Sequence, residues 1–296
     1  MPLLLAVPNV SVGRDQASID AIAAAFDARL LDLHSDPDHN RSVYTLAGEP
    51  GALAQQVLAG AREAIARIDL DGQRGEHPRV GAIDVAPIVY LGDGSRGPAC
   101  AEALVLADAL ACELDLPVFL YGELARGRSR AELRRGGPQE LARRIERGEL
   151  TPDFGPRQLH GTAGAVLVAA RPPLIAFNLE LAPGATVEDA RAVAAAIREG
   201  GSEGLPGVRA IGLQLRDRGA AQVSTNIEDH RATSLADVIA AVARHGAVAR
   251  VELVGLAPRA AFAGFPADVP IPGFDPQRHV IEAALANPAP ATRPGA

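Results

Sequence analysis

Apolar runs and helix-period stretches follow one another in the same order twice along this chain, and that order restricts the fold more than any single residue does. In the first half, a run from Leu3 to Val10 precedes a helix from about Asp15 to Arg29 and strands at Leu30–His34 and Ser42–Leu46. A second helix spans Gly51 to Ile68, with Leu53, Val57, Leu58, Ala61 and Ile65 on one face, the spacing of an amphipathic element. A strand from Ala82 to Leu91 completes β-α-β-β-α-β, a split βαβ pattern expected to give an antiparallel sheet with helices on one face. A helix over Pro98–Leu114 and a strand over Pro117–Tyr121 extend it, and the polar, arginine-rich stretch from Arg126 to Gly148 reads as a linker.

The second half repeats the plan with a strand at Leu174–Leu181 and a helix from Thr186, on which Asp189 is placed for a capping-box contact. Strands at Val208–Arg216 and Ala221–Ile227, a helix at Ser234–His245 and a strand at Arg250–Leu256 follow. The expected class is α/β: an α+β sandwich of two tandem βαββαβ ferredoxin-like subdomains, 1–173 and 174–286, with a cleft between them. Such clefts commonly hold ligands. The subdomain boundary is expected at Arg171-Pro172-Pro173, and the proline- and alanine-rich end, 287–296, is expected to be a disordered tail.

Composition narrows the function. A formal charge of −7 argues against a nucleic-acid partner, which needs a net basic face. The start lacks a basic leader, and no apolar run approaches the ~20 residues of a membrane span, so neither export nor a membrane is expected. Cys100 and Cys112 lie too far apart on one helical segment to pair, and read as reduced and buried. All 29 basic residues are arginine. That excludes a lysine Schiff base and a Walker lysine, and leaves every cationic side-chain contact to a guanidinium fork suited to carboxylates.

The segment Gly75 to Asp84, Gly-Glu-His-Pro-Arg-Val-Gly-Ala-Ile-Asp, sets a histidine between a carboxylate and an arginine just before a strand. Its glycines and proline hold the backbone out of regular structure, so Glu76, His77, Arg79 and Asp84 can converge only if the turn has a fixed shape. Imidazole gives and takes protons near neutral pH, whereas a lone surface histidine is the alternative reading. Asp32 to His39 concentrates metal-type ligands but has no paired spacing, so no metal is expected. Gly92 to Gly97 matches G-x-G-x-x-G, and in a βαββαβ context it reads as a helix-capping turn, not a dinucleotide loop. The segment Gly155 to Gly164 is kept irregular by three glycines and a proline, either as a plain linker or as a loop whose amides approach a flat ligand.

Those words stand beside Val7-Pro8-Asn9-Val10-Ser11-Val12-Gly13, Asp36-Pro37-Asp38-His39-Asn40-Arg41, Pro117 to Glu123, Pro152 to Pro156, Leu174 to Asn178 and Ala221 to Asn226. In this order the set resembles the glutamate formimidoyltransferase family, from about Val7 to near Ile281. The resemblance implies transfer of the formimidoyl group from N-formimidoyl-L-glutamate to tetrahydrofolate, a co-substrate, in histidine breakdown, by a cytoplasmic homodimer without a cyclodeaminase domain. It implies His77 as the general acid/base and Asp38, Asn40, Arg41, Glu76, Arg79 and Asp84 as substrate-binding. Asp38 and Asp84 would face the amidinium; Arg41 and Arg79 would hold carboxylates. It implies a folate loop of Gly155, Pro156, Arg157, Gln158, Leu159, His160, Gly161, Thr162, Ala163 and Gly164. Against the family's pattern an arginine is missing between His160 and Gly164, with Arg157 the available replacement, and lysine is absent. Alternatives left open are formyl transfer from N-formylglutamate, metal-dependent hydrolysis of formimidoylglutamate, and a folate-binding protein without turnover.

Overall fold

The computed structural model describes residues 3–72, 78–215 and 218–287 of the 296. The described residues divide into two compact units that meet in sequence at Pro172 and Pro173. All but the first residue of the expected tail, 287–296, lies outside the described residues.

In the first unit, β1 (Leu4–Ala6) and β2 (Asn9–Val10) act as one strand broken at Pro8. Both pair antiparallel with β4 (Arg41–Gly48) on one side and β5 (Ile83–Val89) on the other, and β3 (Arg29–Asp36) pairs with β4. With helices α1 (Gln16–Ala25) and α2 (Leu53–Arg67), this is the expected βαββαβ core. Its apolar positions meet in one cluster that includes Leu4, Tyr44, Leu46, Val57 and Ile88.

From β5 the chain enters α3 (Arg96–Leu114), then β6 (Val118–Leu120). A further strand, β7 (Val166–Arg171), runs parallel to both β5 and β6 and lies between them. The sheet is therefore mixed, and its parallel end is apolar on both faces, as buried parallel strands require. Ala86, Ile88, Val118, Leu120, Val166 and Val168 join the α2–α3 side. Val85, Phe119, Tyr121, Leu167 and Ala169 face the other way, against Leu133, Leu141 and Ile145. Those three belong to α4 (Arg130–Arg134) and α5 (Gly137–Glu146), so the stretch expected to be a linker is a helical cover on the second face. The cysteine reading also changes: Cys100 is half-buried and Cys112 exposed.

The second unit keeps the plain plan. Strands β8 (Ile175–Leu181), β9 (Val208–Leu215), β10 (Ala220–Ile227) and β11 (Val248–Val254) form an antiparallel sheet in the order β11-β8-β10-β9, the same relative order as β5, the β1/β2 pair, β4 and β3. Helices α6 (Val187–Ile197) and α7 (Leu235–Ala243) each begin with a capping box, Thr186 with Asp189 as expected and Ser234 with Asp237. No described helix is long and apolar enough to cross a membrane.

The start of α2 is completed from a distance. Its N-cap Ala52 has no side-chain acceptor, and the buried Glu102 of α3 instead accepts from Gly51 N and Ala54 N, at 2.6 Å each. A carboxylate at a helix N terminus also meets the positive end of the macrodipole. Glu102→Ala should therefore lower stability by about 1–3 kcal/mol, read as a fall in the denaturant midpoint, with Glu102→Gln losing less.

Candidate active site

The hairpin joining β3 to β4 is tightly built. Asp36 accepts from His39 N (2.8 Å), Asn40 adopts a left-handed φ of 46°, and its side chain accepts from Gly13 N (2.9 Å). Gly13 passes so close to the Asp36 carbonyl and Arg41 amide that no Cβ fits there. Asp36, Asp38, His39 and Asn40 are consequently buried.

Arg79 binds this turn. Its Nη1 donates to Asn40 O (3.1 Å) and its Nη2 to His39 O (2.7 Å), stapling the residues after position 77 to the hairpin. One residue on, Val80 N donates to Asp84 Oδ1 (2.7 Å), and the other Asp84 oxygen is ion-paired with Arg134 Nη2. The pair is buried, with 2% of the Asp84 side chain and 11% of that of Arg134 exposed. Arg41 lies among the same groups: burial, then the nearby Arg134 charge, pull its pKa down to about 10, so it remains a cation at neutral pH.

The end of the 155–164 loop is bonded to the segment that follows Arg79. His160 and Gly164 close a tight turn by mutual backbone bonds of 2.9 and 3.0 Å, inside which His160 Nδ1 accepts from Ala163 N (3.1 Å). Ala82 N donates to Ala163 O, Ala165 N to Val80 O, and Leu70 N to Thr162 O, each at 2.9 Å. Described residues on both sides of 73–77 are thus tied to the end of the loop. Arg157, Gln158, Gly161 and Thr162 are exposed along it. Gly155 enters it with φ 80°, against the Leu116 carbonyl.

Of the expected site residues, the structure brings Asp38, Asn40, Arg41, Arg79 and Asp84 into one cluster beside the loop. Glu76 and His77 lie outside the described residues. Arg130 and Arg134, which carry no motif, were not expected there. Among the described residues no group of three or more His, Cys, Asp or Glu side chains is placed to hold a metal ion. The Gly92–Gly97 turn does lead into a helix between parallel strands, a context closer to a dinucleotide loop than the sequence suggested. Yet a Cβ at Gly92, Gly94 or Gly97 would meet nothing within 4 Å, so no close helix–strand packing demands these glycines.

In the second unit, the sheet face opposite the helices is polar. Glu180 Oε1 accepts from Arg218 Nη1 (2.7 Å) and Arg250 Nη2 (2.8 Å), and Asn178 donates to Glu252 Oε2 (3.1 Å). Gln222, in register with Glu180, is fully buried with neither amide atom hydrogen-bonded. Nothing but strand alternation in Ala221–Asn226 signalled that face.

Residues 3–171 match the family model for the formiminotransferase domain, N-terminal subdomain, and residues 176–264 match that for the formiminotransferase domain. The chain belongs to the formiminotransferase family. It is 39% identical over 277 residues to the formimidoyltransferase-cyclodeaminase of Mus musculus, covering 86% of this chain and 50% of that protein. This chain therefore spans about half the length of that relative. It is 36% identical over 275 residues to the glutamate formimidoyltransferase of Thermoplasma acidophilum, covering 88% of this chain and 90% of that one. With the glutamate formimidoyltransferase of Streptococcus pyogenes serotype M1 the figures are 35% over 264 residues, 85% and 88%.

The lacing of loop to cluster depends on two glycines. A Cβ at Gly81 would collide with the Ala165 carbonyl, and one at Gly164, where φ is 70°, with the Val80 carbonyl. Gly164→Ala should cost about 1–2 kcal/mol through its left-handed backbone alone. It should also speed hydrogen exchange at Ala82 N and Ala165 N, while Gly161→Ala, with open space around it, should change neither.

Proposed function

We propose that this chain is a glutamate formimidoyltransferase, moving the formimidoyl group of N-formimidoyl-L-glutamate to N5 of tetrahydrofolate and releasing L-glutamate. The observation that carries this reading is the match to a glutamate formimidoyltransferase across 90% of that protein's length, together with an arginine–aspartate cluster tied to an exposed glycine loop. A cytoplasmic homodimer goes with this reading.

Attack by N5 on the formimidoyl carbon gives a tetrahedral centre, from which the glutamate amine leaves. A proton has to be taken from the attacking nitrogen and another delivered to the departing one. His77 is assigned both transfers, with Glu76 beside it in sequence. Asp38 and Asp84 supply negative charge towards the amidinium, and Arg41 a guanidinium for a substrate carboxylate. Arg79 acts through the turn it staples. The 155–164 loop suits a flat co-substrate because its exposed residues include Gly161, where no side chain stands in the way.

Purified protein given formimidoylglutamate should release glutamate only when tetrahydrofolate is present, and EDTA should leave the rate unchanged. Release without folate, or loss in EDTA restored by zinc, would instead indicate hydrolysis; turnover of N-formylglutamate at a higher kcat/KM would indicate formyl transfer. His77→Ala should lower kcat by about 10²- to 10⁴-fold with folate binding retained, and near-normal turnover in that variant would remove His77 from the role.

A further inference from the structure

We infer that the segment following β11 builds a second binding site, a pocket in the second unit for an aromatic carboxylate. It stands apart from the formimidoyl-transfer reading and draws on none of the residues assigned to it.

The chain is poor in rings, with seven phenylalanines, three tyrosines and no tryptophan. Three of those phenylalanines, Phe262, Phe265 and Phe274, nevertheless line one pocket. The segment that carries them is tied at both ends, where Ala257 N donates to His279 O and Ile281 N to Ala257 O, each at 3.0 Å. Between these ties Val251 N of β11 donates to Pro270 O (3.3 Å), which pins the segment along the strand.

Within this closed loop the rings are held from behind. Phe265 packs edge-on against Phe177 of the core, with centroids 6.4 Å apart, and Phe274 stacks on His279 at 5.7 Å. Phe262 joins them, its centroid 5.0 Å from that of Phe274 and 6.3 Å from that of Phe265. His279 Nδ1 in turn accepts from Asp275 N (2.9 Å). All three phenylalanines remain only half-buried. With Val269 and Ile271 they enclose about 420 Å³, a volume in the range of small-molecule sites. Apolar side chains exposed singly are ordinary, whereas rings gathered around a concave space form a surface that a flat apolar group would cover.

One cation sets the polarity of the ligand. Arg259 lines the same pocket, and among the described residues its guanidinium has neither a hydrogen-bond acceptor nor an ion-pair partner. The carboxylate bound at this residue, that of Glu282, accepts instead from the Arg259 backbone N–H (2.9 Å). Asp275 is likewise committed, accepting from Gln277 N (2.8 Å). A flat apolar body with one anionic end matches this lining: the body meets the phenylalanines, and the carboxylate meets the guanidinium fork.

The test uses the full-length protein and 2-naphthoate, with 2-naphthamide as its uncharged counterpart, followed by ligand fluorescence that no tryptophan obscures. 2-Naphthoate should bind with a Kd of about 0.1–1 mM. Binding should slow hydrogen exchange at Phe265 N and Phe274 N, whose turn bonds run to Phe262 O and Ile271 O at the pocket wall. Arg259→Gln should weaken 2-naphthoate about tenfold and leave 2-naphthamide unchanged. Arg259→Lys, which keeps the charge and loses the fork, should fall between, and it serves as the readout if the glutamine variant does not fold. Phe274→Leu should weaken both ligands. No binding by the unaltered protein, Arg259 variants that bind 2-naphthoate as tightly as it does, or unchanged exchange at the two amides overturns the proposal. Affinity that falls as protein concentration rises would show the occupant to be a second copy of the chain, and overturns it as well. A rise in KM for tetrahydrofolate in Arg259→Gln would move the pocket into the transfer reaction and end its reading as a separate site. A protein that binds 2-naphthoate through Arg259 yet transfers no formimidoyl group would sink only the transfer reading.

Discussion

One buried carboxylate, that of Asp84, joins pieces of the first unit that sequence keeps apart. Its two oxygens take the Val80 amide and the Arg134 guanidinium, so the start of β5, the segment after position 77 and α4 meet at a single charge. Removing either partner would strand an ion in a site from which water is excluded, which is far costlier than the pair's net contribution to stability. The bond that fixes the 78–82 segment also fixes what that segment touches. Val80 O receives Ala165 N, and Arg79 reaches the hairpin turn at His39 and Asn40. Asp84 thus gives the cluster its shape, whatever charge it lends to a substrate.

The βαββαβ core was legible because its strands and helices carry their own periodicity: Leu53, Val57, Leu58 and Ala61 mark a helix face, and Thr186 with Asp189 marks a helix start without any tertiary help. Of the elements that escaped, α5 and β7 show the physical reasons. In α5, Leu141 and Ile145 are separated by arginines, one of which, Arg144, is itself buried on a backbone carbonyl, so composition suggested a solvated linker. In β7, a short apolar run follows directly on a glycine-rich loop, and periodicity cannot tell such a run from a buried helix segment. At the site, the short words Asp36–Arg41 and Gly75–Asp84 announced themselves through turn residues bracketing charges. Arg130 and Arg134 did not, because a helix delivers side chains by spacing and packing, and nothing local distinguishes them from other surface arginines. The partners of Arg79, two backbone carbonyls, are equally invisible in a string of letters.

The two units show one plan finished in two ways. In the first, α4 and α5 close the second face of the parallel end, which is apolar on both sides. In the second, the antiparallel sheet buries Phe177, Leu179 and Val223 on one face, and its other face carries Asn178, Glu180, Gln222 and Glu252. Parallel strands tolerate no solvent-facing side, whereas antiparallel strands do. The polar face of the second sheet is therefore compatible with its topology, and the helical cover of the first follows from its own.

The remote completion of α2 bears on the order in which the chain folds. Helices are the most local of elements in their hydrogen bonding, each backbone bond closing over four residues. Here the first amides of α2 find their acceptor 48 and 51 residues further along, on α3. The middle of α2 can form early, but its N terminus stays frayed until that long loop closes and α3 docks. A segment that looks local in sequence thus carries a non-local step, and the helix's two ends mature at different times.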